Sequence, residues 1–476
     1  MVLPRETEIQ NQKNKRSRGS LFLALILFFS GCSGSAPSRI QTEPEIKLPK
    51  TWAGSSAYSS APLPSWLDDF NDPLLKATVK KALGKNFDIK AAVARREAAR
   101  STFRISSSAL LPTLGVSGDQ SRTLSDPGKT NTRSERTTLS FDLSWEPDLW
   151  KRISLSSRAE FEIFLASETD LEALKLSLSI NIARFWFDTV EKKMQIRLAE
   201  RRLENFQKNL NIINKGYEKG VYSELDIRFA RSDIAVAQNR VEQEKEVFDR
   251  TLRALQVLLG SYPNLLLEIP ETLVTPDASI PAGLPSDLLT RRPDLIRAEH
   301  LLAASDWKRQ ATKKNWLPQI QLTGTAGLTS TSLSKILDPE ALFFSILGRA
   351  SQPLFNGGRL KEERKRAGFQ VDEKLAAYTQ AALTAFKEVE TALARTAYLN
   401  RQAELLRKSQ LEAKRAEELA LERYLAGLND VLVYLDAQQR TYDSERALLN
   451  LKNQKIQNRL DLYLALGGGF KRKKTK

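Results

Sequence analysis

The chain has 476 residues, 27% of them charged, and its 73 Lys and Arg outnumber 57 Asp and Glu to give a formal charge of +16. One His and one Cys exclude a thiolate–imidazole metal site within a single chain, and they exclude Cys–His catalysis unless those two residues meet in space. The charge lies in mixed-sign helical runs such as Glu200–Glu204 and Glu412–Glu418, with no basic stripe interleaved with aromatics, which argues against nucleic-acid binding.

In chain order, Lys13, Lys15, Arg16 and Arg18 precede an apolar run from Leu21 to Phe29. A positive stretch followed by a short apolar one reads as a signal peptide, residues 1–31, and is too short to span a membrane comfortably. Ser30-Gly31-Cys32 follows, and small residues before a Cys at this place resemble a bacterial lipobox. The departure is Phe29, where lipoboxes favour Leu. Cys32 is therefore the candidate lipidation site, and several acyl chains anchor a protein stably. Ser33 after the Cys, rather than Asp, resembles an outer-membrane destination. The Ser-, Pro- and Ala-rich residues 32–64 read as a tether.

The ordered part opens near Trp66, with a helix expected over Leu74–Leu83 and a break at Gly84-Lys85-Asn86. Asp88 is the expected cap of a helix running to about Leu110. Two strands follow, about 112–125 and 136–147. In the second, Leu139, Phe141, Leu143 and Trp145 alternate with Ser140, Asp142 and Ser144, a period of two with one apolar face. From Ser154 to Lys215 there is neither Pro nor Gly, and apolar positions recur at helical spacing. Ser223 is the expected cap of a second helix that ends before Gly260, completing a helical hairpin over 154–260.

Residues 261–293 form a Pro-rich junction, after which the programme repeats. Leu317-Pro318 lies 206 residues beyond Leu111-Pro112, and Pro353 lies 206 beyond Pro147. Strands are expected over about 318–330 and 343–355, and a helical hairpin over 360–466. Gly357-Gly358 supplies a turn with no counterpart in the first copy, and beyond it the offset becomes 207, as at Tyr217/Tyr424, Gly220/Gly427 and Gly260/Gly467. A basic tail, 469–476, closes the chain. The two copies span 65–260 and 294–468.

Open sheet edges do not sit in lipid, and four strands cannot close a barrel around a water-filled lumen. If these strands span a membrane, several chains share one barrel. The fold expected is thus an α+β membrane protein, with Leu139, Phe141, Leu143 and Trp145 toward lipid and Ser140, Asp142 and Ser144 toward the lumen.

The motifs Trp66…Phe70-Asn71-Asp72-Pro73-Leu74, Gly283–Glu299, the two Leu-Pro strand entries, Trp145–Trp150, Pro353–Arg359 and Arg423–Gln438 occur in order. Together they resemble the TolC-like outer-membrane efflux proteins, specifically the lipoprotein branch that works with resistance–nodulation–division pumps. The resemblance spans about residues 60–468. It implies a homotrimer sharing a 12-strand β-barrel above a periplasmic α-barrel. It also implies passive export of cargo delivered by a periplasmic adaptor and an inner-membrane transporter, without cofactor or metal. Gly220, Val221, Ser223, Leu225 and Asp226 of one helical tip, and Gly427, Leu428 and Leu432 of the other, become adaptor-docking candidates. Asp436 and Tyr424 become candidates for the periplasmic gate, Asp436 as one member of an anionic ring. Each has a competing reading, Asp436 as a solvated helix-face residue and Tyr424 as packing. Lys151 departs from the Gly the family usually has after its first strand pair, and Val433 from an acidic gate residue of some relatives. The competing function is a periplasmic scaffold or adaptor lipoprotein that forms no pore. An enzyme is disfavoured, since no Gly-x-Ser-x-Gly or paired catalytic motif is present.

Overall fold

The computed structural model describes residues 52–53, 66–125, 132–276, 280–281, 283 and 285–468. Cys32, the segment 1–31, nearly all of the tether and the tail 469–476 lie outside the described residues. The chain order is α1 (Trp66–Asp69), α2 (Pro73–Lys85), α3 (Phe87–Ser108), β1 (Thr113–Ser125), β2 (Thr132–Trp145), α4 (Arg152–Glu218) and α5 (Glu224–Leu258). It continues with α6 (Leu288–Arg291), α7 (Pro293–Lys313), β3 (Gln319–Ser330), β4 (Leu342–Ser351), α8 (Arg359–Leu425) and α9 (Val431–Ala465). Helices α4 and α8 each have 67 residues, and α5 and α9 each have 35. At about 1.5 Å per residue, the longer pair run roughly 100 Å.

Several boundaries differ from expectation, each for a local reason. Helix α2 runs through Gly84 to Lys85, because one Gly costs a helix only about 1 kcal/mol. Asn86, not Asp88, caps α3: its side chain accepts from the amides of Asp88 and Ile89 at 2.8 and 3.2 Å. Asp88 sits inside the first turn. Strand β2 starts at Thr132 rather than near 136, since polar cross-strand pairs such as Arg122–Glu135, 3.2 Å apart, extend it beyond the apolar alternation. Strand β4 ends at Ser351, ahead of Pro353, which has no N–H for a ladder. Helix α3 stops at Ser108, and α7 ends at Lys313 before a tighter turn over Lys314–Trp316.

The first copy does have a counterpart to the Gly357-Gly358 turn. Lys151 adopts φ +60° at the start of α4, as Gly358 adopts φ +86° at the start of α8. Asp148 holds Lys151's turn by accepting from the amides of Ile153 and Ser154 at 2.9 and 2.7 Å. Lys151 therefore keeps the backbone shape that a Gly would take.

The strands form one antiparallel sheet in the order β1-β2-β3-β4. The register joins the two hairpins through Leu139–Leu328, Phe141–Ala326 and Leu143–Gly324. Gly327 lies opposite Ser140, and a Cβ there would sit 2.2 Å from the Leu139 carbonyl oxygen, so only Gly permits that approach.

The core lies where the helices cross α2. Trp186 of α4 is fully buried among Leu75, Val79, Phe187, Leu255 and Tyr463, and its Nε1 donates to Asp72 at 2.9 Å. Truncating a buried Trp costs about 3–5 kcal/mol. The second copy has a smaller cluster around Leu288, Val389 and Leu462.

Both copies fasten the hairpin base to the strand-bearing helix in one way. Asn86 Nδ2 donates to the Leu258 carbonyl at 2.9 Å, and Arg292 Nη1 donates to the Ala465 carbonyl at 3.1 Å. Gly260 and Gly467, at φ +66° and +83°, lie so close to the backbone of Lys85-Asn86 and Arg291-Arg292 that a Cβ would come to 3.0 and 2.8 Å of a carbonyl oxygen. Arg292 also binds Asp294 and Glu388, each at 2.7 Å. Burial opposes its charge, but the bonds to Asp294 and Glu388 outweigh that and hold its pKa above the ordinary range.

Candidate functional site

The sheet separates two chemistries. One face carries Leu114, Val116, Leu139, Phe141, Leu143, Trp145, Leu322, Phe344 and Ile346, all exposed in the protomer. The register places Ser117, Ser140, Asp142, Ser144, Thr323 and Thr325 on the other. These polar groups satisfy one another: Ser117 Oγ lies 3.0 Å from Ser140 Oγ and donates to Asp142 at 2.5 Å. Strands β1 and β4 pair on one side only, so the sheet has two open edges. Among the described residues, no helix is long and apolar enough to cross a membrane.

At the far ends of the long helices the two tips share one turn. Gly220 and Gly427 have φ +72° and +71°. Val221 N donates to the Gly216 carbonyl at 2.8 Å and Leu428 N to that of Arg423 at 2.9 Å, closing the helix ends where a left-handed residue follows. Ser223 caps α5 in a reciprocal arrangement: Asp226 N donates to Ser223 Oγ at 3.3 Å, and Ser223 N donates to Asp226 Oδ2 at 2.8 Å. The Ser223 bonds hold the Asp226 carboxyl below its usual range. Asp430 caps α9 more simply, accepting from Leu432 N at 3.1 Å. Val221, Leu225, Leu428 and Leu432 all point into solvent.

Tyr424 lies inside a ladder that sequence reasoning missed. Its hydroxyl bonds Tyr222 of the other hairpin, and its ring stacks on Tyr222 at 6.4 Å and on Tyr434 at 6.2 Å. Gly216 leaves room for Tyr222, since a Cβ there would fall 2.2 Å from the ring. Gln438 donates to Tyr434 Oη at 2.6 Å and accepts from Asn209 at 2.8 Å. Ile213, Ile227 and Val431 pack beneath. Burial first, then the Tyr424 bond, raise the Tyr222 pKa, and burial with the Glu417 charge raises that of Tyr434. A signal did exist: Tyr222 and Tyr434 occupy positions whose counterparts in the other copy are Asn429 and Ile227.

Asp436 does not join this ladder. It projects into solvent from α9 and accepts from Arg440 Nε at 2.8 Å. Arg440 thus places a cation beside the Asp436 carboxylate and makes this part of α9 less anionic than Asp436 alone implies. Val433 is exposed.

A family profile described as "Outer membrane efflux protein" matches residues 78–261 and 284–468. The chain is 30% identical over 464 residues to the solvent efflux pump outer membrane protein SrpC of Pseudomonas putida, covering 95% of this chain and 98% of the relative. Its fold matches the outer-membrane channel OprN with a TM-score of 0.84 at 26% identity, covering 91% of this chain and 98% of that one. It also matches the open state of the Neisseria gonorrhoeae MtrE outer membrane channel, with a TM-score of 0.81 at 28% identity, covering 92% and 100%.

Proposed function

The chain belongs to the outer membrane efflux protein family and is the outer-membrane channel component of an efflux pump, and from that premise we propose how its own residues act. Three protomers share one barrel of twelve strands, β1 of each pairing with β4 of the next. The observation that carries this is the four-stranded sheet with two open edges and one exposed apolar face. Backbone N–H and C=O groups left unpaired in lipid cost several kcal/mol each, and closure across three chains removes the edges. The polar face then lines a water-filled lumen, and helices α4, α5, α8 and α9 continue it as a periplasmic duct.

Transport through such a duct is passive. The protein contributes a path and a gate, while a periplasmic adaptor and an inner-membrane transporter of the resistance–nodulation–division type deliver the cargo. The exposed tips, Gly220 to Asp226 and Gly427 to Leu432, dock the adaptor. Their apolar side chains Val221, Leu225, Leu428 and Leu432 are exposed in pairs at matching positions of the two copies. Tyr424 locks the two hairpins of a protomer together in the resting state, and Asp436 with Arg440 lines the constriction. Cys32 carries the lipid anchor. The chain carries out no chemistry of its own.

Single-channel recording in a planar bilayer tests this. The purified protein is expected to be a trimer with low conductance, and Asp436→Ala or Tyr424→Phe is expected to raise it. A heat-stable trimer that stays silent even as Asp436→Ala would sink the duct reading. Water-soluble thiol reagents are expected to label Cys placed at 142 and 144, but not at 139, 141 and 143 nor at the buried 140; equal labelling of the two faces would overturn their assignment.

A further inference from the structure

Where sheet meets helices, all junctions are stitched together at one level. Trp145 Nε1 donates to the Leu110 carbonyl at 3.0 Å, joining the end of β2 to the start of β1. Trp150 Nε1 donates to the Pro318 carbonyl at 2.6 Å, joining the start of α4 to the start of β3. Gln352 Nε2 donates to the Trp316 carbonyl at 3.1 Å, joining the end of β4 to the same place. The residues flanking these bonds therefore form a collar around one end of the sheet.

That collar has two layers. Nearest the sheet, Leu354 and Phe355 are 89% and 91% exposed, and Leu111 and Trp316 are exposed beside them. Next come cations: Lys151 at the start of α4, Lys313 and Lys314 at the end of α7, and Lys361 at the start of α8. None of these four forms an ion pair among the described residues, and only Lys314 is less than exposed. The nearby acids have other partners, Glu362 pairing with Lys365 at 2.9 Å while also feeling the Lys361 charge. Glu146 binds Arg152 at 2.7 Å, Asp148 holds the first amides of α4, and Glu363 binds Arg359 at 2.7 Å. At the start of α8 the Asn356 side chain reaches one amide, that of Leu360, at 3.5 Å, and the remaining first-turn amides add partial positive charge at the same level.

We propose that this collar binds the anionic headgroups of phospholipids in the periplasmic leaflet of the outer membrane. The proposal rests on the reading that the sheet spans that membrane. An aromatic and aliphatic edge against acyl chains, with unpaired lysines one layer beyond, matches the order in which a lipid presents its chains and its phosphate. Lysine suits this role, being a flexible point charge that follows a mobile headgroup. The contact would fix the height of the barrel in the bilayer and resist tilting when the helical tips are pulled by a docked partner.

The test uses the purified full-length protein in dodecyl maltoside, titrated with phosphatidylglycerol, with the thermal unfolding midpoint as readout. Phosphatidylglycerol is expected to raise the midpoint dose-dependently, whereas phosphatidylcholine of the same acyl length and inorganic phosphate leave it unmoved. Lys151→Gln, Lys313→Gln, Lys314→Gln and Lys361→Gln combined are expected to weaken the response by roughly six hundredfold, about fivefold for each lysine near a charged surface. The same lysines changed to Arg keep it, and Lys208→Gln with Lys408→Gln, far along the helices, also keep it. If the quadruple variant does not fold, the pair Lys151→Gln and Lys361→Gln serves, with about a twentyfold loss expected. An undiminished phosphatidylglycerol response in the Gln variants, an equal response to phosphatidylcholine, or a response only to lipopolysaccharide overturns the proposal. Bilayer conductance separates the two readings. A conducting trimer indifferent to phosphatidylglycerol sinks the lipid collar alone, and a protein that neither trimerises nor conducts sinks both.

Discussion

The two copies of the repeat have the same backbone and do different work with it. Helices α4 and α8 match in length, as do α5 and α9, and both tips turn through a left-handed Gly. Yet Tyr217 is exposed in the first copy, while its counterpart Tyr424 is half-buried in a tyrosine ladder. The ladder needs Tyr222 and Tyr434, and the opposite copy has Asn429 and Ile227 there. Likewise Asp436 and Arg440 have Phe229 and Asp233 as counterparts. Asp233 is partly buried, which raises its pKa against the opposing charge of Arg202. Duplication supplied a symmetric scaffold, and the gate candidates sit where the symmetry is broken.

The largest expected difference between copies lies at the hairpin bases. Arg292→Ala leaves the Ala465 carbonyl and Glu388 without their partner, and is expected to cost roughly 3 kcal/mol, toward the low end for a broken buried pair because both carboxylates remain half in water. Asn86→Ala, at the equivalent place, is expected to cost about 1–2 kcal/mol through a lost cap and one bond. Urea unfolding followed by circular dichroism measures both; a larger loss for Asn86→Ala would contradict this ranking.

At the tips, Ser223→Ala removes the two bonds that Ser223 Oγ makes with Asp226, leaving only the amide half of the capping box, and is expected to cost about 1 kcal/mol. Asp430→Ala loses one bond and is expected to cost less. Hydrogen exchange of the first amides of α5 and α9 reads the difference directly. The Asp226 carboxyl titrates below its usual value in the fold, so its contribution is present at neutral pH and is lost as the pH falls through that lowered value.

The tyrosine ladder gives the opposite pH sign. The Tyr222 pKa is raised in the fold, so the protonated hydroxyl is favoured there. Its contribution is complete below the ordinary tyrosine value of about 10 and is lost as the pH rises through the folded one. Conductance is expected to climb on alkalinisation in the native protein, and to climb less in Tyr222→Phe, where the link is already cut. Identical profiles would remove the ladder from the gate.

The smallest effect belongs to the strand exit. Lys151→Gly relieves a left-handed Lys, worth roughly 1 kcal/mol, against the added freedom of Gly in the unfolded chain. A gain of about 0.5 kcal/mol or less is expected, with Gly358→Lys losing more because Asn356, with a single 3.5 Å bond to the Leu360 amide, steadies that turn less than Asp148 steadies the first.

Much of the architecture was legible in the residues alone. Long runs free of Pro and Gly, period-two alternation in Leu139–Trp145 and a constant offset between copies are local signals, because helix and strand periodicity repeat every few residues. Ser223 as a cap was legible for the same reason, since a cap bonds amides two or three residues away. Other features were decided by tertiary structure. Asn86 beat Asp88 as the cap because its amide also reaches Leu258, 172 residues along the chain. The Tyr222–Tyr424 bond spans 202 residues, and the Trp150–Pro318 bond 168. The pairing of Asp436 with Arg440, four residues along α9, is by contrast local and could have been read from helical spacing alone. Periodicity fixes which face a side chain occupies, but which residue it meets depends on how distant helices pack, and that information is not local to any stretch of sequence.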